Sequence, residues 1–232
     1  MLEIRGAAPG LIDDPLLLEV GGAPPNTSLT WRARIRDDDG FVWRAEGSAP
    51  DALSWSPAKA SAGDVAALRS LRPVTLDVRV EDPDGAASNR TITRSFVGDG
   101  MKVRRWREGP TGSLYLPAQP ATTALILDAR DPRDPASRDD SGAPDAPESS
   151  LDAPGEVAAA LLASRGVLVF LVAGGSGESG DVLAALPSTP ARVERRAAVP
   201  LPPGVPARAA ADAAAWDALL ADLGARPRRL AR

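Results

Sequence analysis

Two stretches of strict alternation limit what this chain can fold into. Between Ser28 and Ser48, Leu29, Trp31, Ala33 and Ile35 alternate with Thr30, Arg32, Arg34 and Arg36. Neighbouring side chains on a strand point to opposite faces, so one face is apolar and the other cationic. Asp39-Gly40 supplies the turn, because glycine accepts the positive φ that a tight hairpin requires. Phe41, Trp43 and Ala45 then alternate with Val42, Arg44 and Glu46 on the return. The stretch from Val74 to Phe96 repeats the pattern, with Val74, Leu76, Val78 and Val80 against Thr75, Asp77, Arg79 and Glu81. LTWRARIRDDDG (29–40) lies over VTLDVRVEDPDG (74–85) at a spacing of 45 residues, and the two share five of twelve positions. Neither hairpin can bury its apolar face alone. The expectation is that they pack face to face as a small antiparallel β-sandwich over residues 1–98.

Around these hairpins the signals are weaker. Leu11, Ile12, Leu16, Leu17, Leu18 and Val20 form an apolar run able to open a sheet. DVAALRSLR (64–72) reads as one or two helical turns. The acidic turns Asp37-Asp38-Asp39-Gly40 and Asp82-Pro83-Asp84-Gly85 lack the alternating ligands and distant bidentate Glu of a calcium loop, so they read as solvated turns. Trp31, Trp43 and Trp216 fall at apolar phases and are expected in the core, whereas Trp55 and Trp106 carry no clear phase.

From Gly98 the pattern changes. VRRWREG (103–109) and TGSLYLP (111–117) form a further candidate hairpin. ATTALILDA (121–129) and VLVFLVA (167–173) are nearly continuous apolar runs, as expected of strands covered on both faces. Between them, PGEVAAALLASRG (154–166) reads as a helix with Val157, Ala160, Leu161 and Leu162 on one side, Pro154 near its start and Gly166 past its end. Strand, helix and strand at this spacing make a βαβ unit with a parallel sheet. Residues 131–150 are rich in Pro, Asp and Ser and are expected to be a mobile loop. A glycine-rich loop (174–180), a proline-rich stretch (187–206) and a second helix over 208–224 complete the chain.

Composition removes several chemistries. The 232 residues contain no histidine and no cysteine, so no Ser-His-Asp or Cys-His site can be completed within them. Thiolate and imidazole metal sites go with them. Lys59 and Lys102 are the only lysines. GGSGESG (174–180) has neither the Gly-Lys-Ser/Thr of a Walker loop nor the three spaced glycines of a dinucleotide fingerprint. The basic residues are dispersed against a net charge of −4, so no nucleic-acid footprint is visible. No apolar run is long enough for a membrane span, and the N-terminus does not read as a signal peptide. The cytoplasm is therefore the expected compartment. Asn26-Thr27-Ser28 and Asn89-Arg90-Thr91 fit the glycosylation sequon, but without an export signal they are not expected to be modified.

The order of these parts resembles the acyl-CoA thioesterase / bile acid-CoA:amino acid N-acyltransferase family. GGAPPNTSLTWRARIRDDDGFVWRAEGSA (21–49) is similar to that family's N-terminal sandwich: a Gly-x-x-Pro segment, a Thr-x-Arg-Ala strand, an Asp-x-Asp-Gly turn and a Val-Trp-Arg return. GSLYLP, ALILDA and AAALLASRGVLVFLVA look like its entry into an α/β-hydrolase domain, and AAAWDALLADLG (213–224) is similar to the helix before the nucleophile. The resemblance implies an immunoglobulin-like antiparallel β-sandwich over 1–98. It implies that 99–232 form the N-terminal part of an α/β-hydrolase-like domain. It further implies an acyl-CoA substrate and chemistry through an acyl-enzyme on Cys or Ser.

The chain departs from the family in ways that bear on activity. Arg130-Asp131-Pro132-Arg133 stands where the family has a Gly-Gly-Ser-Gly-Gly-like loop, and 187–206 lacks the family's acidic and aromatic residues. No Gly-x-Ser/Cys-x-Gly elbow occurs in the 232 residues: Gly174-Gly175-Ser176-Gly177-Glu178 ends in Glu, and Gly177-Glu178-Ser179-Gly180-Asp181 ends in Asp. The chain therefore reads as truncated before the elbow. No catalytic, cofactor-binding or metal residue is nominated, no cofactor is expected, and the chain is expected to be inactive as written. The alternative is a non-catalytic binding or interaction module built on the sandwich. With no strand recognised after 173, ALILDA is expected to keep one open edge. Self-association or a partner chain would then cover that edge, and the second half would be the less stable.

Overall fold

A computed structural model describes residues 1–6, 10–50, 52–106, 112–119, 121–129, 155–173 and 190–228. They are mostly β-strand, in antiparallel and mixed sheets, with two helices among them. The chain divides into two units. One comprises Met1–Phe96, Pro202–Asp212 and Arg228–Arg232, the other Val97–Leu201 and Ala213–Pro227. The expected loop at 131–150 and the glycine-rich loop at 174–180 lie outside the described residues.

The first unit is built on a six-stranded sheet. Its strands are β2 (Gly10–Leu11), β4 (Thr30–Arg36), β5 (Val42–Gly47), β6 (Ser54–Pro57), β7 (Val74–Glu81) and β8 (Ala87–Ser95), in the order β2-β8-β7-β4-β5-β6. β1 (Glu3–Gly6) and β3 (Leu18–Gly21) pair antiparallel as a separate two-stranded sheet. Both alternating hairpins form in register, with Ile35 opposite Trp43 and Leu76 opposite Ile92. They do not stack face to face. β4 and β7 pair edge to edge, Ala33 opposite Val78, so the two hairpins extend one sheet. This satisfies the backbone of both inner edges while keeping the two apolar sets on one face. Trp31, Ala33, Ile35, Trp43, Ala45, Leu76, Val78, Val80 and Ile92 are all buried there. Trp55, opposite Ala45, is half-buried.

The two acidic turns share one construction. Gly40 and Gly85 have φ of 82° and 84°. The Asp37 carboxylate accepts the Phe41 N–H at 2.8 Å, and Asp82 accepts the Ala86 N–H at 2.8 Å. Only the second is the solvated turn expected, for Asp37 is 7% exposed. Its other oxygen accepts from Trp43 Nε1 at 3.0 Å and from the Ala67 N–H at 3.3 Å. That arrangement also explains why 64–72 is not helical. Ala67 O accepts the Asp38 N–H, the Asp38 carboxylate accepts the Ser70 N–H, and Pro206 O accepts the Ala66 N–H. Long-range partners thus occupy the groups a helix would use. Residues 202–212 join the unit through this segment, with a bridge from Val65 to Ala207. At Gly204 the φ is 84° and a Cβ would lie 2.1 Å from Ile12 O, so no larger residue fits.

The second unit contains a mixed sheet of five strands: β9 (Lys102–Trp106), β10 (Gly112–Leu116), β11 (Thr123–Ala129), β12 (Leu168–Ala173) and β13 (Arg192–Arg196). Their order is β13-β11-β12-β10-β9, parallel among β13, β11 and β12 and antiparallel elsewhere. The β11–α1–β12 crossover forms as the apolar runs predict, with α1 over Gly155–Ser164. Val157 through Ser164 are buried all round instead of on one side. Both α1 and α2 (Ala213–Asp222) end in the same way. Gly166 and Gly224 take positive φ, and the Val167 and Ala225 N–H groups reach back to Leu162 O and Leu220 O.

The edge of β11 is the point at which the expectation fails. β13 lies along it in parallel, Thr123 opposite Arg192 and Leu127 opposite Arg196, so no self-association or partner chain is needed to cover it. RVERR carries a single apolar residue between proline-rich flanks, and no hydrophobic periodicity marks it as a strand. As the new edge, its arginines discourage further pairing.

Candidate functional site

In open parallel sheets, ligands bind beyond the carboxyl ends of the strands, where successive connections leave to opposite sides. That point here lies between β11 and β13. The β11–α1–β12 crossover goes to one side of β11, and β13 is on the other. The residues at these strand ends are charged. Asp128 is the penultimate residue of β11, one position beyond the Leu127–Arg196 pair, and its carboxylate meets Arg195 at 3.0 Å. On the opposite face of β13, Arg196 pairs with Glu194 at 2.9 Å and also with Asp222 of α2. Arg192, at the amino end of β13, donates to the Asp222 backbone carbonyl at 2.6 Å, so this part of the network runs along β13 away from the carboxyl ends. A cation at a helix C-terminus is favoured there by the free carbonyls and the helix dipole.

This constellation is a network of ion pairs. It contains no hydroxyl or amine held against a base, which nucleophilic catalysis requires. Each arginine side chain in it is at least 34% exposed, so the pairs are screened and contribute little to stability. Among the described residues, no group of three or more His, Cys, Asp and Glu side chains is arranged to hold a metal ion. The sequence offered no signal for the cluster, because β13 was not legible as a strand.

Two other buried polar sites serve the architecture. Arg94, on the inward face of β8, donates to Asp14 O, and the Asp14 carboxylate accepts the Leu11 N–H at 3.2 Å. Arg90, on the same face, donates to Ile4 O at 3.0 Å. In the second unit Tyr115 on β10 is 2% exposed. Burial first, and then the Glu156 carboxylate, push its phenol up to about 12. It stays protonated at neutral pH and cannot serve as a base there.

The Tyr115 shift gives a direct prediction. The chain has one tyrosine, so its tyrosinate absorbance reports this residue alone. The titration midpoint is expected near 12 in the folded chain, against about 10 in urea. Because the folded state holds the proton longer, this contribution to stability is complete below about pH 10 and is lost as pH rises toward 12. A folded-state midpoint equal to that in urea would contradict the burial of Tyr115.

No described helix is long and apolar enough to cross a membrane. Compared by sequence with known proteins, the chain matches no family model and no curated protein.

Proposed function

We propose that the chain is an acyl-CoA thioesterase/acyltransferase-like protein without turnover of its own. The observation that carries this reading is the second unit's sheet: an antiparallel pair, then a β11–α1–β12 crossover, then β13 on the far side of β11. An α/β-hydrolase-type entry calls for such a mixed sheet. In the first unit, the β1–β3 pair beside the six-stranded sheet supports a sandwich with one reduced layer. The inactive half of the proposal rests on chemistry: no His, no Cys, no elbow motif, and ion-paired side chains at the strand ends.

Free CoA released from acyl-CoAs of several chain lengths can be followed with a thiol reagent, since the protein contributes no thiol. Binding is followed separately by isothermal titration calorimetry, and the expected result is saturable binding of acyl-CoA with no release above the buffer rate. Turnover with several acyl-CoAs would overturn the inactive reading, and absence of binding would overturn the acyl-CoA reading.

A second reading, a non-catalytic binding module built on the first unit, is favoured by a separate observation. Arg34 and Arg44 stand opposite each other on the exposed face of the six-stranded sheet and make no hydrogen bond or ion pair among the described residues.

A further inference from the structure

The exposed face of the six-stranded sheet carries Arg32, Arg34 and Arg36 along β4, Arg44 on β5 and Arg79 on β7. The carboxylates on this face are already engaged. Glu46 pairs with Arg32 at 3.1 Å, and Glu81 pairs with both Arg32 and Arg79 at 3.2 Å. Asp77, directly opposite Arg34 on β7, accepts from the Thr91 hydroxyl at 3.0 Å. Arg36 donates to Gly40 O at 3.0 Å. This leaves Arg34 and Arg44 facing each other across β4 and β5. Like charges directly opposite on neighbouring strands destabilise a sheet. An anion bridging the two guanidinium groups would remove that repulsion and gain charge-assisted hydrogen bonds.

We propose that this face, centred on Arg34 and Arg44, binds an extended acidic segment of a partner protein. This deepens the binding-module reading and does not depend on the thioesterase-like one. The charge spacing favours an extended peptide. Arg34 and Arg36, which pair with no carboxylate among the described residues, stand two positions apart on β4, roughly 7 Å along a strand. An extended peptide with a carboxylate at every second residue has the same repeat. A small anion is less suited, because small-molecule sites are concave and this site is one face of a sheet. Single-stranded nucleic acid is less suited too. It needs aromatic platforms, whereas Trp31 and Trp43 are buried on the opposite face.

Fluorescence anisotropy with two labelled peptides of equal charge tests the proposal, one with Glu at alternate positions and one with the same Glu residues in a single block. The alternating peptide is expected to bind more tightly, and added salt is expected to weaken it. Arg34→Ser and Arg44→Ser are each expected to weaken it by about tenfold, with circular dichroism unchanged because both side chains are exposed. Equal affinity of the folded variants and the parent would overturn the proposal. So would equal affinity for the two peptides, or tighter binding of a single-stranded oligonucleotide. The acyl-CoA assay reads none of these outcomes, so either proposal can fail alone.

Discussion

Asp37→Ala is expected to lower the stability of the first unit by about 3–5 kcal/mol. That is the lower part of what three donors left unpaired at about 1–3 kcal/mol each would cost, because two of the three bonds are only part-buried. The three donors to the Asp37 side chain are the Phe41 N–H, Trp43 Nε1 and the Ala67 N–H. Trp43 is 0% exposed, so its indole N–H has no water to turn to. The equivalent turn offers an internal control. Asp82 accepts only backbone N–H groups, from Asp84 and Ala86, and both bonds are exposed. Asp82→Ala should therefore cost about 1 kcal/mol or less. Hydrogen exchange of the β4, β5 and β7 amides in urea reads both effects locally. Equal losses in the two variants would show that Asp37 is a turn residue like Asp82, and not the buried link between the first hairpin and residues 64–72.

That contrast marks what could be read from the sequence. The repeat at 29–40 and 74–85 shows that the two turns are built alike, and they are. It does not show which of them is covered, because cover comes from Ala67 and Pro206, distant in the chain and without any pattern of their own. Strand identity and inward faces were legible wherever alternation was strict: Trp31, Ala33, Ile35, Val78 and Val80 are all buried as their phase requires. How the strands associate was not. Alternation says which face is apolar but is indifferent to whether two hairpins stack or join at their edges, and here β4 joins β7. In the second unit, burial on both faces makes β11 and β12 plain apolar runs. β13, held by backbone pairing and arginine ion pairs, leaves no hydrophobic trace, and the strand-end cluster it forms with Asp128 and Asp222 was invisible with it.

The same difference in what holds β12 and β13 predicts how the second sheet fails. Phe170 is 0% exposed and packs in one cluster with Leu114, Ala124, Ile126, Leu168 and Val172. Its ring also lies where a Cβ on Gly112 would come within 2.9 Å, so the surrounding backbone is already close. Phe170→Ala deletes the largest side chain of this cluster, and strands fixed on both sides cannot collapse fully into the space. A cost of about 3–5 kcal/mol is expected. Phe170→Leu, which refills most of the volume, should cost about 1.5 kcal/mol or less. On β13 the one apolar side chain, Val193, is 49% exposed, so Val193→Ala should change stability by no more than about 0.5 kcal/mol. Amide exchange should follow the same order. In the parent chain β12 should be strongly protected and β13 weakly. Phe170→Ala should strip protection from β11 and β12 and leave β13 little changed, because it had little to lose. If β13 instead proves as protected as β12, its backbone ladder and arginine pairs contribute far more than exposed ion pairs do. The strand-end cluster would then be a structural clasp.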